Sequence, residues 1–501
     1  MAKFSTKTRT STRTKNHEGA TAFSMTAEME LYSLVSTTVL DNQFYRSKSD
    51  VMSRMRELIK KVSPEFVGQL AVYARESMYL RTVPLVLAVE LAKMKTEDGL
   101  VSKVTERVIQ RADELYEILA CYKSLNGRAE LKPVAKQIRK GIAKAFSKFD
   151  EYQFAKYNRD YEITLRDTLR ICRPTPVDEA QSELFGKIKT GTLETPYTWE
   201  TELSAQDGRS KKEKWESLIE SKKVNYMALM RNLRNILDAG VSIKHIEQVC
   251  EYLSNETAVA KSRQFPFRYL SAFRMLESNK SVHAEFVLDA LEEAAKLSVS
   301  NVKLIADGFN VIACDVSGSM QHTISEKSSV QMYDIGLLLG QLLKLKTKSS
   351  IVGIFGDEWK VKRFSSKSPL SNTMRLHDIE GEVGYSTNGW KVVKYLIDEG
   401  VKADRVFFFS DGQMWSDMGM GAGYSRNPSG SEFHDYWKTY KKVSPKSEAY
   451  FFDLQGYGNT PLSVMSGDVY FVSGWSDKVF DMLAAIREGS DAVKEVKKIV
   501  L

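Results

Sequence analysis

The chain is poor in the residues on which several protein classes depend. Its four cysteines, Cys121, Cys172, Cys250 and Cys314, stand far apart with no C-x-x-C pair, which excludes a disulfide-built fold and fits a reducing cytosol. Six histidines without H-E-x-x-H or Cys/His spacing leave no local zinc site. The longest apolar run, Val83 to Leu91, is interrupted by Pro84 and Glu90 and falls short of the roughly 18 residues that cross a bilayer. No secretory leader pattern opens the chain. Also missing are a Walker loop, a G-x-S-x-G elbow and a paired His and Cys, so no enzyme activity is expected.

What is present is an ordinary globular composition, 43% hydrophobic and 27% charged over 501 residues, enough for two to four domains at roughly 100–200 residues each. The net charge of +8 is unevenly distributed. Residues 1–300 hold 48 Lys and Arg against 40 Asp and Glu, whereas residues 301–501 hold 24 of each. A basic front module beside a neutral one fits a polyanion-binding surface attached to a second domain. The start, with Lys3, Lys7, Arg9, Arg13 and Lys15 and no acid before residue 16, reads as a flexible basic arm over residues 1–20. A mitochondrial transit peptide is the second reading, since the composition matches but the amphipathic periodicity does not.

From residue 21 to 300 apolar residues recur at three- and four-residue spacing, in Val51–Val62, Pro64–Glu76, Val83–Lys95, Lys132–Phe149, Val224–Leu237, Ile243–Leu253 and Ala284–Leu297. Successive amphipathic helices without strands point to stacked hairpins of the HEAT or armadillo kind, with a compact bundle as the plainer alternative. Gln181 to Glu200, rich in Gly, Thr and Pro, reads as an irregular connection. Over 301–501 the pattern changes to strand-length apolar runs, Phe309–Cys314, Ile351–Phe355, Val406–Phe409, Ala449–Phe452 and Val469–Val472. These alternate with helical segments Val330–Leu345, Gly389–Asp398 and Asp477–Ile486. This order predicts a doubly wound parallel sheet whose ligand site follows Cys314 and Phe409 at the strand carboxyl ends.

Both places carry oxygen donors. Asp315, Ser317 and Ser319 follow the first strand, Ser410 and Asp411 follow the third apolar run, and Thr387 precedes a helix. Hard oxygen ligands with only two carboxylates suit Mg²⁺ or another divalent cation that keeps an open coordination position. The bare D-x-S-x-S fits a helix cap equally well; the later Thr and Asp favour the metal. In the helical part, Lys132, Lys136, Arg139, Lys140, Lys144 and Lys148 recur on one face opposite Val134, Ile138, Ile142 and Phe146, with no acid between Glu130 and Asp150. That stripe favours phosphate over a merely solvated face. Lys156, Tyr157, Arg159, Arg166, Arg170 and Arg173 add groups that fork onto phosphate or stack on unpaired bases.

Several stretches carry a resemblance: Tyr73 to Leu87 around Arg81-Thr-Val-Pro84, Met227-Ala-Leu-Met-Arg-Asn-Leu-Arg-Asn235, and Phe265-Pro-Phe-Arg268. With the D-x-S-x-S, Thr387 and Ser410-Asp411-Gly412 set, they make the chain resemble the Ro autoantigen family in a bacterial or phage-type form. That family joins a TROVE module to a von Willebrand factor A-like domain with a metal-ion-dependent adhesion site. The resemblance implies an α plus α/β fold, a ring of HEAT-like α-helical hairpins closed by a doubly wound α/β domain. It implies a non-enzymatic RNA-binding scaffold that takes small structured Y-type non-coding RNA on the outer ring surface and single-stranded 3′ ends in the central cavity. Further implied partners are an exoribonuclease or another protein, with no membrane and a monomeric chain. The family's RNA-contacting Lys-Tyr falls on Lys156-Tyr157, its following Arg on Arg159 after a one-residue shortening, and its later His is replaced by Arg173. Its glycine after the first helix is missing, Ser36-Thr37-Thr38-Val39-Leu40 standing there instead. The competing function is a metal-dependent protein adaptor whose open coordination position captures a partner's carboxylate.

Weaker signals remain. The tract Gly419-Met-Gly421-Ala-Gly423 reads as a loop. Tyr79, Phe265, Phe267 and Tyr269 are possible base platforms for which core packing is the commoner role, and Trp390 and Trp415 flank the metal set.

Overall fold

The computed structural model describes residues 13–15, 21–37, 49–97, 99–127, 131, 133–299, 308–324, 328–363, 367–412, 432–456, 459–462, 468–474, 479–480 and 491–501. Contacts divide the chain into two compact units, 38–224 with 493–501, and 1–37 with 225–492. The division passes through the helical region instead of falling at residue 300, where the composition changes.

Part of the N-terminal arm is paired. Strand β1 (Arg13–Lys15) runs antiparallel to β2 (Thr21–Ser24), with Thr14 opposite Ala22. Helix α1 (Ala27–Thr37) follows, buried from Leu31 onward.

In the unit formed by 38–224 and the last nine residues, the expected helices are present. α2 (Pro64–Glu76) starts where Ser63 accepts the Phe66 amide and Pro64 supplies a fixed φ at a position needing no donor. α3 (Leu100–Val108) and α5 (Lys136–Ala145) pack closely because Gly141 lacks a side chain: a Cβ there would lie 2.5 Å from Thr105 Cβ and 2.6 Å from the Ser102 carbonyl. Between them in sequence lies α4 (Glu114–Leu125), whose Glu114 forms a buried ion pair with Arg75 at 2.8 Å. Capping boxes built on Asp150 and Thr164 open α6 (Glu151–Tyr157) and α7 (Leu165–Cys172). The chain end returns to this unit, Gln69 Nε2 donating to the Lys497 and Ile499 carbonyls.

Gln181–Glu200 is not irregular throughout. Its first half belongs to α8 (Glu179–Thr190), which Asp178 caps and Gly191 ends at φ 80°. Thr, Gly and Pro dominate only the segment after residue 190, and their weight in the composition hides the capped helix before it.

The other unit continues with α9 (Tyr226–Arg231), α10 (Ile243–Leu253), α11 (Glu256–Ser262), α12 (Pro266–Glu277) and α13 (Ala284–Leu297). The expected single helix over Val224–Leu237 is split at Asn232, whose amide donates to the Ala228 carbonyl. The sheet then forms from β3 (Phe309–Asp315), β4 (Ser349–Phe355), β5 (Trp359–Lys362), β6 (Arg405–Ser410), β7 (Glu448–Asp453), β8 (Asn459–Thr460) and β9 (Val469–Ser473). Six of these strands lie in the order β5-β4-β3-β6-β7-β9, while β8 joins β1 and β2. All pairings in the six-stranded sheet are parallel except that of β5, a short antiparallel edge.

β3, β6 and β7 are buried along nearly their whole length, as expected of strands covered on both faces. α14 (Met332–Leu345) packs against β3 and β6. Phe408 and Phe451 on the opposite face meet residues of α16 (Trp390–Asp398) and α17 (Glu432–Val443). α15 (Pro369–Asp378) packs beside α14. Residues 477–486, expected to be helical, fall almost wholly outside the described residues, as does the Gly419–Gly423 tract.

Candidate functional site

Parallel strands deliver their carboxyl ends to one edge, and there the oxygen donors meet. Asp315 ends β3 fully buried; one carboxylate oxygen accepts the Ser317 amide at 2.9 Å and the other accepts the Ser410 hydroxyl. Ser317 Oγ and Ser319 Oγ are 3.3 Å apart. Gly318 N donates to the Tyr385 carbonyl at 2.8 Å, holding the loop after β3 against the loop that carries Thr387. Asp411, also fully buried, receives Gln455 Nε2 at 3.4 Å, and the same amide donates to the Ser319 carbonyl at 2.8 Å.

The loops bearing Asp315, Ser317, Ser319, Thr387 and Asp411 are thus tied to one another at one edge. Burial pushes the Asp315 carboxyl up to about 6, against the opposing hydrogen bonds from Ser317 and Ser410. Two buried carboxylates beside hydroxyls, with no Lys or Arg among the described partners of Asp315, form a donor set that a hard cation would balance.

Ser410, read in the sequence as part of the Ser410-Asp411-Gly412 motif, orients Asp315. Gln455 escaped the sequence reading, since it reaches the site only because β7 neighbours β6. Asp453, a further acid at this edge, is engaged elsewhere: it accepts Ser33 Oγ at 2.7 Å and the Gly456 amide at 2.7 Å. Trp390 stacks on Tyr436 with ring centroids 5.2 Å apart, a packing role. Trp415 lies outside the described residues.

The cationic residues belong to the 38–224 unit. On α5, Lys136, Arg139, Lys140 and Lys144 are exposed while Ile138, Ile142 and Ala145 are buried. Lys132 lies outside the described residues. Tertiary packing supplies an acid that the stripe itself lacks: Glu106 sits 3.6 Å from Lys144. Lys148 bonds the Ile109 carbonyl at 3.1 Å and the Glu106 carbonyl, satisfying the end of α3.

Arg139 lies near Cys172, where it opposes the burial that pushes that thiol up to about 12. α5 and α7 are therefore neighbours, and Arg170 and Arg173 are exposed at the end of α7. Lys156, Tyr157 and Arg159 form a second group. The Arg111 guanidinium lies 4.5 Å from the Tyr157 ring centroid, Lys156 Nζ 5.7 Å from it, and the Tyr157 carbonyl accepts the Tyr116 hydroxyl. Arg111 and Tyr116 carried no sequence signal. Phe267 and Tyr269 are buried, so they pack and do not stack on bases.

Fold and sites together define a protein with a helical module and an α/β domain built on a six-stranded, mostly parallel sheet. A family model for the TROVE domain matches residues 20–192 and 188–297, and the chain belongs to the TROVE domain family. The crystal structure of the Ro (RSR) protein of Deinococcus radiodurans shares the fold, with a TM-score of 0.57 and 17% identity over 91% of this chain and 99% of that one. Telomerase protein component 1 of Mus musculus is 24% identical over 329 residues, or 49% of this chain, and that of Rattus norvegicus 25% over 296 residues, or 43%. The matches span 12% and 11% of those relatives' own lengths.

Proposed function

We propose that the protein is a non-enzymatic RNA scaffold that binds structured small non-coding RNA of the Y type through α5, α7 and the Lys156–Arg159 group, and holds single-stranded 3′ ends apart from that face, in the cavity the family resemblance implies. The observation that carries this reading is the face of α5: Lys136, Arg139 and Lys140 are exposed on a helix whose opposite side is buried. Lysine and arginine on phosphate position RNA without reading bases, so sequence preference is weak and affinity falls with salt. The test is charge reversal, Lys136→Glu with Arg139→Glu and Lys140→Glu, read by filter binding of a hairpin RNA. Affinity falls by orders of magnitude if the face binds; unchanged affinity in a folded variant removes it.

At the sheet edge, Asp315, Ser317, Ser319, Thr387 and Asp411 would hold Mg²⁺ or another divalent cation, which when bound supplies an open coordination position for a carboxylate or phosphate. Two buried carboxylates favour that reading. The adaptor function uses this same position for a partner's Glu or Asp. RNA retained in EDTA assigns RNA to the cationic face, whereas loss only on chelation moves it to the metal.

A further inference from the structure

A cavity of about 540 Å³ opens among α9, α10 and α11, at a distance in sequence from every residue assigned above. Its lining includes Asn225, Tyr252, Asn255, Thr257, Lys261 and Gln264, and none of its ten lining residues is acidic. Tyr252 is 39% exposed, and its ring meets that of Tyr226 edge to face at 5.6 Å. Tyr226 is itself buried and donates its hydroxyl to the Leu253 carbonyl, so Tyr252 stands on a fixed base.

The amides are oriented by the helices they cap. Asn225 Oδ1 accepts the Ala228 amide and Asn255 Oδ1 accepts the Ala258 amide, both at 2.9 Å, which leaves each Nδ2 as a donor with no partner among the described residues. Gln264 is turned the other way: its Nε2 donates to the Ser262 carbonyl at 2.7 Å, leaving Oε1 as an acceptor. The cavity therefore offers an aromatic surface, two amide donors, one amide acceptor and the Lys261 ammonium. A bare anion has no use for the acceptor or the ring, and a purely apolar ligand has none for the amides. A ribonucleotide uses all four: base on ring, base edge on amides, phosphate on ammonium.

We infer that this cavity binds one unpaired nucleotide of a single-stranded RNA, through stacking on Tyr252 and hydrogen bonds to Asn225, Asn255 and Gln264. The inference rests on the RNA-binding reading but uses a site separate from α5.

The full chain is titrated with fluorescein-labelled decauridylate and decaadenylate and with a blunt hairpin RNA. Tyr252→Ala weakens binding of the single strands roughly ten- to a hundredfold, the size of one lost base stack, while Tyr252→Phe retains it. Asn225→Asp with Asn255→Asp keeps both caps but replaces donors by charge, and gives a comparable loss. Hairpin affinity stays unchanged in all of these. Unchanged single-strand affinity in Tyr252→Ala and in the double Asp variant overturns the inference, as does displacement of the strand by UMP or AMP at the strand's own concentration, which reassigns the cavity to a free nucleotide. A wild-type chain that binds the hairpin but neither single strand overturns it alone; one that binds no RNA overturns the broader reading with it.

Discussion

Arg274 on α12 grips Asp334 on α14 with two nitrogens, at 2.6 and 2.8 Å, and His377 Nδ1 of α15 approaches the same carboxylate at 2.8 Å. A helix from the stretch with helical periodicity is thereby tied to the helix that covers the sheet, which explains why residues 225–300 share a unit with it. Burial raises the Asp334 pKa, but the bonds from His377 and Arg274 win and hold it below the usual carboxylate value.

Removing one partner leaves the other charge buried, so Arg274→Met is expected to cost about 3–5 kcal/mol. Urea unfolding checks this; a loss under about 1 kcal/mol would show that water replaces the guanidinium.

The lysines of the α5 stripe have separable roles. Lys136→Ala is expected to lower the slope of log affinity against log salt by about 0.7–0.9, one phosphate contact, with no change in melting temperature. Lys148→Met is expected to leave RNA affinity alone and to destabilise by about 1 kcal/mol, because Lys148 satisfies the end of α3. Exchange of these two phenotypes would refute the assignment.

Gly141→Ala places a Cβ against Thr105 and the Ser102 carbonyl, forcing α3 and α5 apart at about 1–3 kcal/mol. Thermal melting reads the loss; an unchanged midpoint would mean the helices separate freely.

Glu117 supplies a pH dependence. Burial first, and Asp113 next, push its carboxyl up to about 7 in the folded chain, against the pull of Arg81. The folded state then holds this proton more tightly than the unfolded chain, whose carboxyl titrates near 4.3. Its contribution to stability is complete below that value and is lost as pH rises through about 7. Glu117→Gln is expected to stabilise the protein at pH 8 by about 1–3 kcal/mol and to flatten the fall between pH 5 and 8. Identical melting curves for both proteins at pH 5 and pH 8 would contradict the perturbed carboxyl.

Mg²⁺ at a hundred times its dissociation constant is expected to stabilise the wild type by about 2.7 kcal/mol and to leave Asp411→Asn unmoved. Calorimetry with increasing Mg²⁺ decides; equal response in both proteins would place the ion elsewhere.

The strands were legible because each is a short, nearly continuous apolar run: Val406–Phe409 lies within β6, and Val469–Val472 within β9. β5 was not, since four residues on an exposed edge carry no such run. Asp315, Ser317 and Ser319 could be read from spacing because one turn holds all three. Gln455 could not: its place beside Asp411 depends on β7 lying next to β6, 44 residues away in sequence.

Local chemistry, then, was enough for the kind of element each segment forms and for the charge its exposed face carries, because both follow from neighbours three or four residues apart. Where Asn225, Tyr252 and Gln264 enclose a cavity, and which acid stands beside Lys144, depended on contacts between distant segments. Such pairings follow from burial shared across helices and from strand order, and neither leaves a mark in the spacing of any one stretch.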